Sequence, residues 1–256
     1  MALPLRRLSA SSEFAIVEKW LYPLWKRTDQ TVDELRDTLL GELSPKLMSR
    51  VDVHGLRLCV ADSAVAAASA RRMESCAPVP DAMLSLWVDS GGVASLREAL
   101  VDQYVARKSA YLVEETEPLV SQLRHPSQSG ERVYGMCQVV FLSSPAAMAR
   151  EDFLTIWKGS HTQVAIDTQS TFGYRQNLVV GEQEDNARHC DAIVEENFPP
   201  EAMTDDHAFY ATGGDDAVLK KNMQAMMESC SRFIDFAKID VIPMSEYRME
   251  SPPDRS

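Results

Sequence analysis

Hydrophobic positions in this 256-residue chain fall into short runs whose period alternates between strand-like and helix-like. Phe14–Pro23, rich in aromatic and β-branched residues, predicts a first strand. Thr31-Val32-Asp33-Glu34 is a capping-box pattern, and Leu35, Leu39, Leu40, Leu43 and Leu47 then recur at helical spacing. Gly41 and Pro45 are expected to strain the end of that helix. Val53–Ala61 and Ala82–Val88 read as strands. A second helix opens at Ser90 and runs to about Val105, and Ala110–Glu115 closes the set. The same order then returns. Arg132–Leu142 is a strand, and Arg150–Asp167 a helix with Phe153, Ile156, Trp157 and Val164 on its apolar face. Phe172–Val180 and Ala192–Phe198 are strands, Asp215–Phe236 a helix, and Ile239–Met244 a last strand. Met223, Met226 and Met227 share one face of the last helix, and such a stripe is expected to be core.

The return is visible in the residues themselves. VHGLRLCVAD (Val53–Asp62) aligns with TFGYRQNLVV (Thr171–Val180), and VDELRDTLLGEL (Val32–Leu43) with REDFLTIWKGSH (Arg150–His161). Both matches use one offset of 118 (171 − 53 and 150 − 32). DAMLSLWV (Asp81–Val88) aligns with DAIVEENF (Asp191–Phe198) at an offset of 110 (191 − 81). Gly41 falls on Gly159 and Gly55 on Gly173. The period is far above that of solenoid repeats, so the units are domain-sized. Each reads as βαββαβ, the ferredoxin-like order, with helices on one sheet face. The other face must be covered, and a second copy supplies the cover. The expected fold class is therefore α+β, with ferredoxin-like repeats at 1–125 and 126–256 forming an intramolecular dimeric-type α+β barrel. His125–Glu131 is the expected linker, and the terminal SPPDRS is expected to fray.

Strand alternation sorts the residues by face. Four leucines of the first copy, Leu43, Leu56, Leu58 and Leu86, correspond to His161, Tyr174, Gln176 and Glu196 in the second. Burying such groups unpaired costs on the order of 1–3 kcal/mol each. They are tolerable where they bond one another, water or a ligand, so the second copy is expected to hold a polar pocket where the first is packed. His161 suits proton transfer near neutrality. Glu196 then orients the imidazole or serves as a second base, and Tyr174 and Gln176 hold a ligand oxygen. Trp157, Phe153, Phe198 and Gln138 are candidate ligand-binding neighbours; Tyr134 and Met136 share the strand of Gln138. Glu195, on the opposite face, lines the space between the sheets or is solvated, and the second reading is preferred. Arg175 and Asn177 are expected to pair within the barrel. Glu114-Glu115 and Asp215-Asp216 read as solvated charge, and His125, His189 and His207 as exposed.

Composition narrows the partners. A net charge of −12 argues against nucleic acid and anionic membrane. No apolar run approaches the roughly 18–20 residues of a membrane span, and the N-terminal stretch lacks the apolar region of a signal peptide. Five dispersed cysteines with no CxxC pair suit a reducing cytoplasm and no zinc motif. No nucleotide or metal-protease motif is present, so no metal and no cofactor are expected. Further homo-oligomerisation through other surfaces is open.

REDFLTIWKGSHTQVA followed by FGYRQNLVV resembles the EthD family, with Phe153, Trp157, His161, Gly173, Tyr174, Asn177 and Val179 in the family's places. DAIVEENF is similar to its D-x-x-x-E-x-x-F strand, with Asp191, Glu195 and Phe198. The resemblance covers Gly130 to Met249. It implies a dimeric α+β barrel, and it selects Glu195 where the face argument selects Glu196. The family includes polyketide-tailoring dehydratases and decarboxylases as well as a component of unassigned role in ether degradation. The expected function is cofactor-independent acid/base chemistry (dehydration, decarboxylation or isomerisation) on a small hydrophobic oxygenated molecule. The alternatives are a non-catalytic binding or accessory protein of a catabolic pathway, and a haem-handling protein with His161 as axial ligand.

Overall fold

The computed structural model describes residues 16–90, 101–183 and 188–249. Its strands are β1 (Val17–Trp25), β2 (Val53–Val60), β3 (Met73–Glu74), β4 (Ala82–Asp89), β5 (Arg107–Lys108), β6 (Ala110–Leu119), β7 (Met136–Leu142), β8 (Gly173–Gln183), β9 (Ala192–Phe198) and β10 (Asp240–Arg248). Eight of them form one antiparallel circuit in the order β2-β4-β1-β6-β8-β9-β7-β10, and β10 pairs back to β2. The barrel thus closes within the chain. Its two seams, β6–β8 and β10–β2, join residues before 125 to residues after it. Within each half the neighbours run second, third, first, fourth. The short β3 and β5 attach to β10 and β1.

Helices cover the outside. α1 (Val32–Thr38) starts at the Thr31 capping box, where the Thr31 amide donates to Glu34 at 2.7 Å and the Glu34 amide to the Thr31 hydroxyl at 3.2 Å. It does not end at Gly41. It widens into a π-helical turn, Leu39–Leu43, and continues as α2 (Ser44–Met48), with Pro45 in the first turn where a missing N–H costs least. The second half repeats this: α3 (Arg150–Ile156), a π turn at Trp157–His161, then α4 (Thr162–Thr168). Gly41 and Gly159 take the third position of their π turns. Ser44 Oγ donates to the Leu39 carbonyl at 2.8 Å, and Thr162 Oγ1 to the Trp157 carbonyl at 3.0 Å, again 118 residues apart. α5 (Asp206–Phe209) and α6 (Asp216–Cys230) follow, α6 being shorter than its apolar pattern suggests. Asp215 is not merely solvated; it caps α6, accepting from the Ala217 and Val218 amides. The helix expected from Ser90 lies mostly outside the described residues; Val101–Gln103 is a 3₁₀ turn.

Register fixes which residues share a face. Leu56 sits opposite Leu86, and Tyr174 opposite Glu196. Gly173 opposes Asn197 where Gly55 opposes Trp87. A Cβ at Gly173 would lie 2.5 Å from Asn197 Oδ1 and 2.6 Å from Ser121 Cβ, so only glycine allows the close approach. Gly159 has nothing within 4 Å of its Cβ position. Gly173→Ala is expected to cost about 1–3 kcal/mol through overpacking. Gly159→Ala is expected to be neutral or to stabilise by up to ~1 kcal/mol. Urea-unfolding midpoints separate the two.

The barrel interior corrects two expectations. Glu195 is not solvated: it is fully buried, and the Lys19 ammonium and Arg175 Nε each lie 3.4 Å from it. Glu115 also turns inward and pairs with Lys19. Arg175 pairs with Glu246 at 2.7 Å, Arg57 with Glu246 at 3.1 Å and with Glu195 at 3.8 Å. Asn177 and Asn197 donate to Glu195 and Glu246 at 3.2 and 2.7 Å. Three cations thus face three carboxylates inside the barrel, beneath an apolar cluster that includes Leu21, Met83, Val139, Phe141 and Met244. Burial alone would raise the Glu195 pKa, but Arg175, Lys19 and Arg57 outweigh it and hold it far below the usual carboxylate range.

Candidate functional site

The outer faces of the two halves differ in chemistry at equivalent places. In the first half Leu56, Leu86 and Trp20 form one row across β2, β4 and β1. Together with Leu43 and Leu58 they are buried in a continuous apolar core. In the second half the same row, across β8, β9 and β7, is Tyr174, Glu196 and Gln138. Directly opposed side chains have Cβ atoms roughly 4.5–5.5 Å apart, so the three act as neighbours. Above the row, the π turn begins at Trp157 and ends at His161, in the places of Leu39 and Leu43. Between the row, this turn and α6 lies a cavity of about 200 Å³.

Trp157, His161, Tyr174, Glu196 and Gln138 line this cavity. Four other candidates do not. Glu195 lies on the interior side of the sheet, as described above. Gln176 is bonded by its own surroundings: its amide donates to Thr162 Oγ1 at 2.8 Å and its carbonyl accepts from Thr116 Oγ1 at 3.1 Å. It reaches Tyr174 only at 3.4 Å, and so positions the phenol instead of contacting the cavity. Phe153 packs on Trp157 and Phe233, and Phe198 stacks on Phe209 in a separate cluster. Met136 joins that cluster too, while Tyr134 is half-exposed and stacks on His125.

Electrostatics separate the cavity groups. Glu196 is 8% exposed, with no hydrogen bond or ion pair among the described residues. Burial pushes its pKa up to about 7. His161 is 5% exposed, and burial first, then the nearby Arg232 charge, push its pKa down to about 4. It is therefore neutral at pH 7. Its Nδ1 lies 3.0 Å from Ser229 Oγ, which also accepts from Arg232 Nη2 at 3.2 Å. Nε2 has no protein partner among the described residues. Burial first, then Glu196, raise the Tyr174 phenol well above its ordinary range, so it stays protonated. Trp157 Nε1 and Gln169 Oε1, both on lining residues, are buried with no hydrogen-bond partner.

The sequence reading missed several contributors. Ser229, which orients His161, is the single fully buried residue of α6, and nothing in the apolar pattern marks it. Met73 reaches the cavity from β3 in the first half. The methionine stripe is core only at Met226, which packs partly buried against the second-half cluster. Met223 and Met227 are 43% and 60% exposed, and with Met226 and Cys230 they form the cavity's α6 wall. Their pattern resembles a core stripe because it does face apolar space, but that space is unfilled. Among the described residues no helix is long and apolar enough to cross a membrane.

An eight-stranded antiparallel barrel carrying helices outside defines the dimeric α+β barrel fold. No protein-family model matches this sequence, and no curated protein does. Solved structures do. An anthrone oxidase-like protein aligns with a TM-score of 0.52 and 8% identity, over 96% of this chain and 99% of that one. A monooxygenase-like protein from Lactobacillus acidophilus aligns with a TM-score of 0.43 and 10% identity, over 91% and 94%. A chlorite dismutase from Candidatus Nitrospira defluvii aligns with 0.43 and 10%, over 91% and 92%. At such identities the likeness is one of fold, and function has to be argued from the site.

Proposed function

We propose that the second-half cavity is a cofactor-independent acid/base site for a small hydrophobic molecule bearing an oxygen function. The observation that carries this is Glu196, a buried carboxylate at the cavity wall with no counter-charge and a pKa near neutrality. A base is most useful when its pKa lies near the working pH. Its neighbour Glu195 is held ionised by three cations and has no comparable role, so environment alone divides the two carboxylates. Ser229 accepts from Arg232 and has its own proton to give to His161 Nδ1, an arrangement that suits an Nε2–H tautomer. In this reading Glu196 removes a proton from a carbon next to a carbonyl. His161 Nε2–H and the Tyr174 hydroxyl donate to the oxygen on which charge develops. Dehydration and isomerisation share this proton removal; decarboxylation reaches the same oxyanion by releasing carbon dioxide and then takes a proton onto carbon, which protonated Glu196 can supply.

The same reading includes an origin by duplication and fusion of a ferredoxin-like unit, and a distant relation to the EthD family. Equal strand order, paired π turns and matching registers support the first. The Trp157 and His161 spacing, with both residues at one cavity, supports the second. The family's conserved-pattern glutamate falls on Glu195, inside the barrel, and is assigned no catalytic part here.

Deuterium exchange tests the chemistry. Small apolar ketones in D₂O are expected to incorporate deuterium next to the carbonyl faster with the protein than with buffer, on a rate rising with pH through about 7. His161→Ala is expected to lower the rate about 10²- to 10³-fold, as for loss of an oxyanion donor, with unfolding midpoints little changed. Binding of the ketones without enhanced exchange would overturn the catalytic reading in favour of a binding protein.

A further inference from the structure

The polarity of the cavity runs from a polar interior to an apolar mouth. Its polar groups are deep: Trp157, Tyr174, His161, Gln138 and Glu196 are 0%, 1%, 5%, 6% and 8% exposed. Its mouth is apolar: Met73, Met223, Met227 and Phe236 line the same cavity and are 43%, 43%, 60% and 40% exposed. Pockets for small polar substrates present the reverse, with water-facing polar rims. Exposed apolar side chains collected round an opening signal an interaction that covers them. Methionine, unbranched and polarisable, packs against differing shapes. The rim also joins elements far apart in sequence. Met223 and Met227 lie one turn apart on α6, Phe236 follows that helix, and Met73 comes from β3 of the first half.

Resting on the cavity as the binding site, we infer that its ligand is amphiphilic and enters head first. An oxygen-bearing end reaches Glu196 and His161, and an apolar body too long for the cavity lies across the methionine rim. The continuity of rim and cavity favours this occupant over a protein partner, because the same residues line both. The substrate class is thus an elongated apolar molecule with oxygen functions at one end. Gln169 Oε1, buried without a hydrogen-bond partner, offers that end an acceptor.

A series of 4-alkylphenols, ethyl to octyl, probes this by titration calorimetry. Affinity is expected to rise about two- to fourfold per methylene, the range for partial to full burial, and to keep rising through the long members. In the double variant Met223→Ser/Met227→Ser the gain per methylene is expected to flatten for the long members, read as the slope of affinity against chain length and not as the affinity of any one phenol. A gain with length that the double variant leaves intact, or affinity independent of length, overturns the inference and leaves the cavity reading standing. A shift of the free protein from dimer to monomer on the double substitution, with no change in the length series, assigns the rim to a second copy instead. Failure of every phenol to bind overturns the cavity reading and this one with it.

Discussion

Glu195→Gln is expected to lower the unfolding free energy by about 3–5 kcal/mol, the range for breaking a buried ion pair from one side. Lys19, Arg57 and Arg175 would then be left with Glu115, Glu246 and, at 3.8 Å from Arg175, the partly exposed Glu117. Glutamine keeps the shape and the hydrogen bond from Asn177, so the loss reports charge and not packing. Because the Glu195 pKa is held far below its usual value, the carboxylate is ionised at pH 6 and at pH 8 alike. The penalty should therefore be equal at both. Urea titrations at the two pH values measure it, and a loss below 1 kcal/mol would show that the interior network carries little net stability.

The adjacent substitution, Glu196→Gln, is expected to act in the opposite direction. The folded-state pKa of about 7 lies above the unfolded value of 4.5, so the folded protein binds this proton more tightly. Stability from this group is complete below pH 4.5 and is lost as pH rises through 7. Glutamine does not titrate. The variant should match the parent near pH 4 in this respect and gain on it above pH 7, by on the order of 3 kcal/mol for a shift of this size. The same substitution should abolish ketone exchange. His161 contributes with the other sign, since its lowered pKa costs stability as pH falls from 6.5 towards 4. A comparison of parent and variant in one buffer series isolates Glu196. A variant no more stable than its parent at pH 8.5 would mean that the carboxylate is solvated and unsuited to the proposed chemistry.

The opposed behaviour of these two glutamates also marks how far the sequence could be read. Alternation placed Glu195 and Glu196 on opposite faces, and comparison with Leu86 gave Glu196 to the helix side. Which of the two faces held charge was not legible. Strands of this barrel are covered on both sides, so β7 and β9 are buried throughout and show no polar edge to orient them. Glu115 reads as solvated charge because nothing local shows that it faces the barrel interior, and Lys19 and Arg57 carry no local signal that would have singled them out. The capping box, the strand order and the exchange of leucines for polar groups were legible, since each depends on short-range spacing or on internal comparison. Ser229, Arg232 and Met73 were not. Met73 reaches the cavity from β3, and Ser229 in α6 with Arg232 just after it reaches His161 from behind, approaches that no local pattern encodes.

The first half lacks every polar group of the cavity, yet it is not a spare part. It contributes Lys19, Arg57 and Glu115 to the interior, one strand of each seam, and Met73 to the cavity wall. A chain trimmed to residues after 125 would retain His161, Tyr174 and Glu196 while exposing Arg175 and Glu195 on an open sheet with unpaired edges. Change in the apolar half is thus bounded by the company its neighbour requires, and the contact between the halves becomes something the chain can alter but not discard.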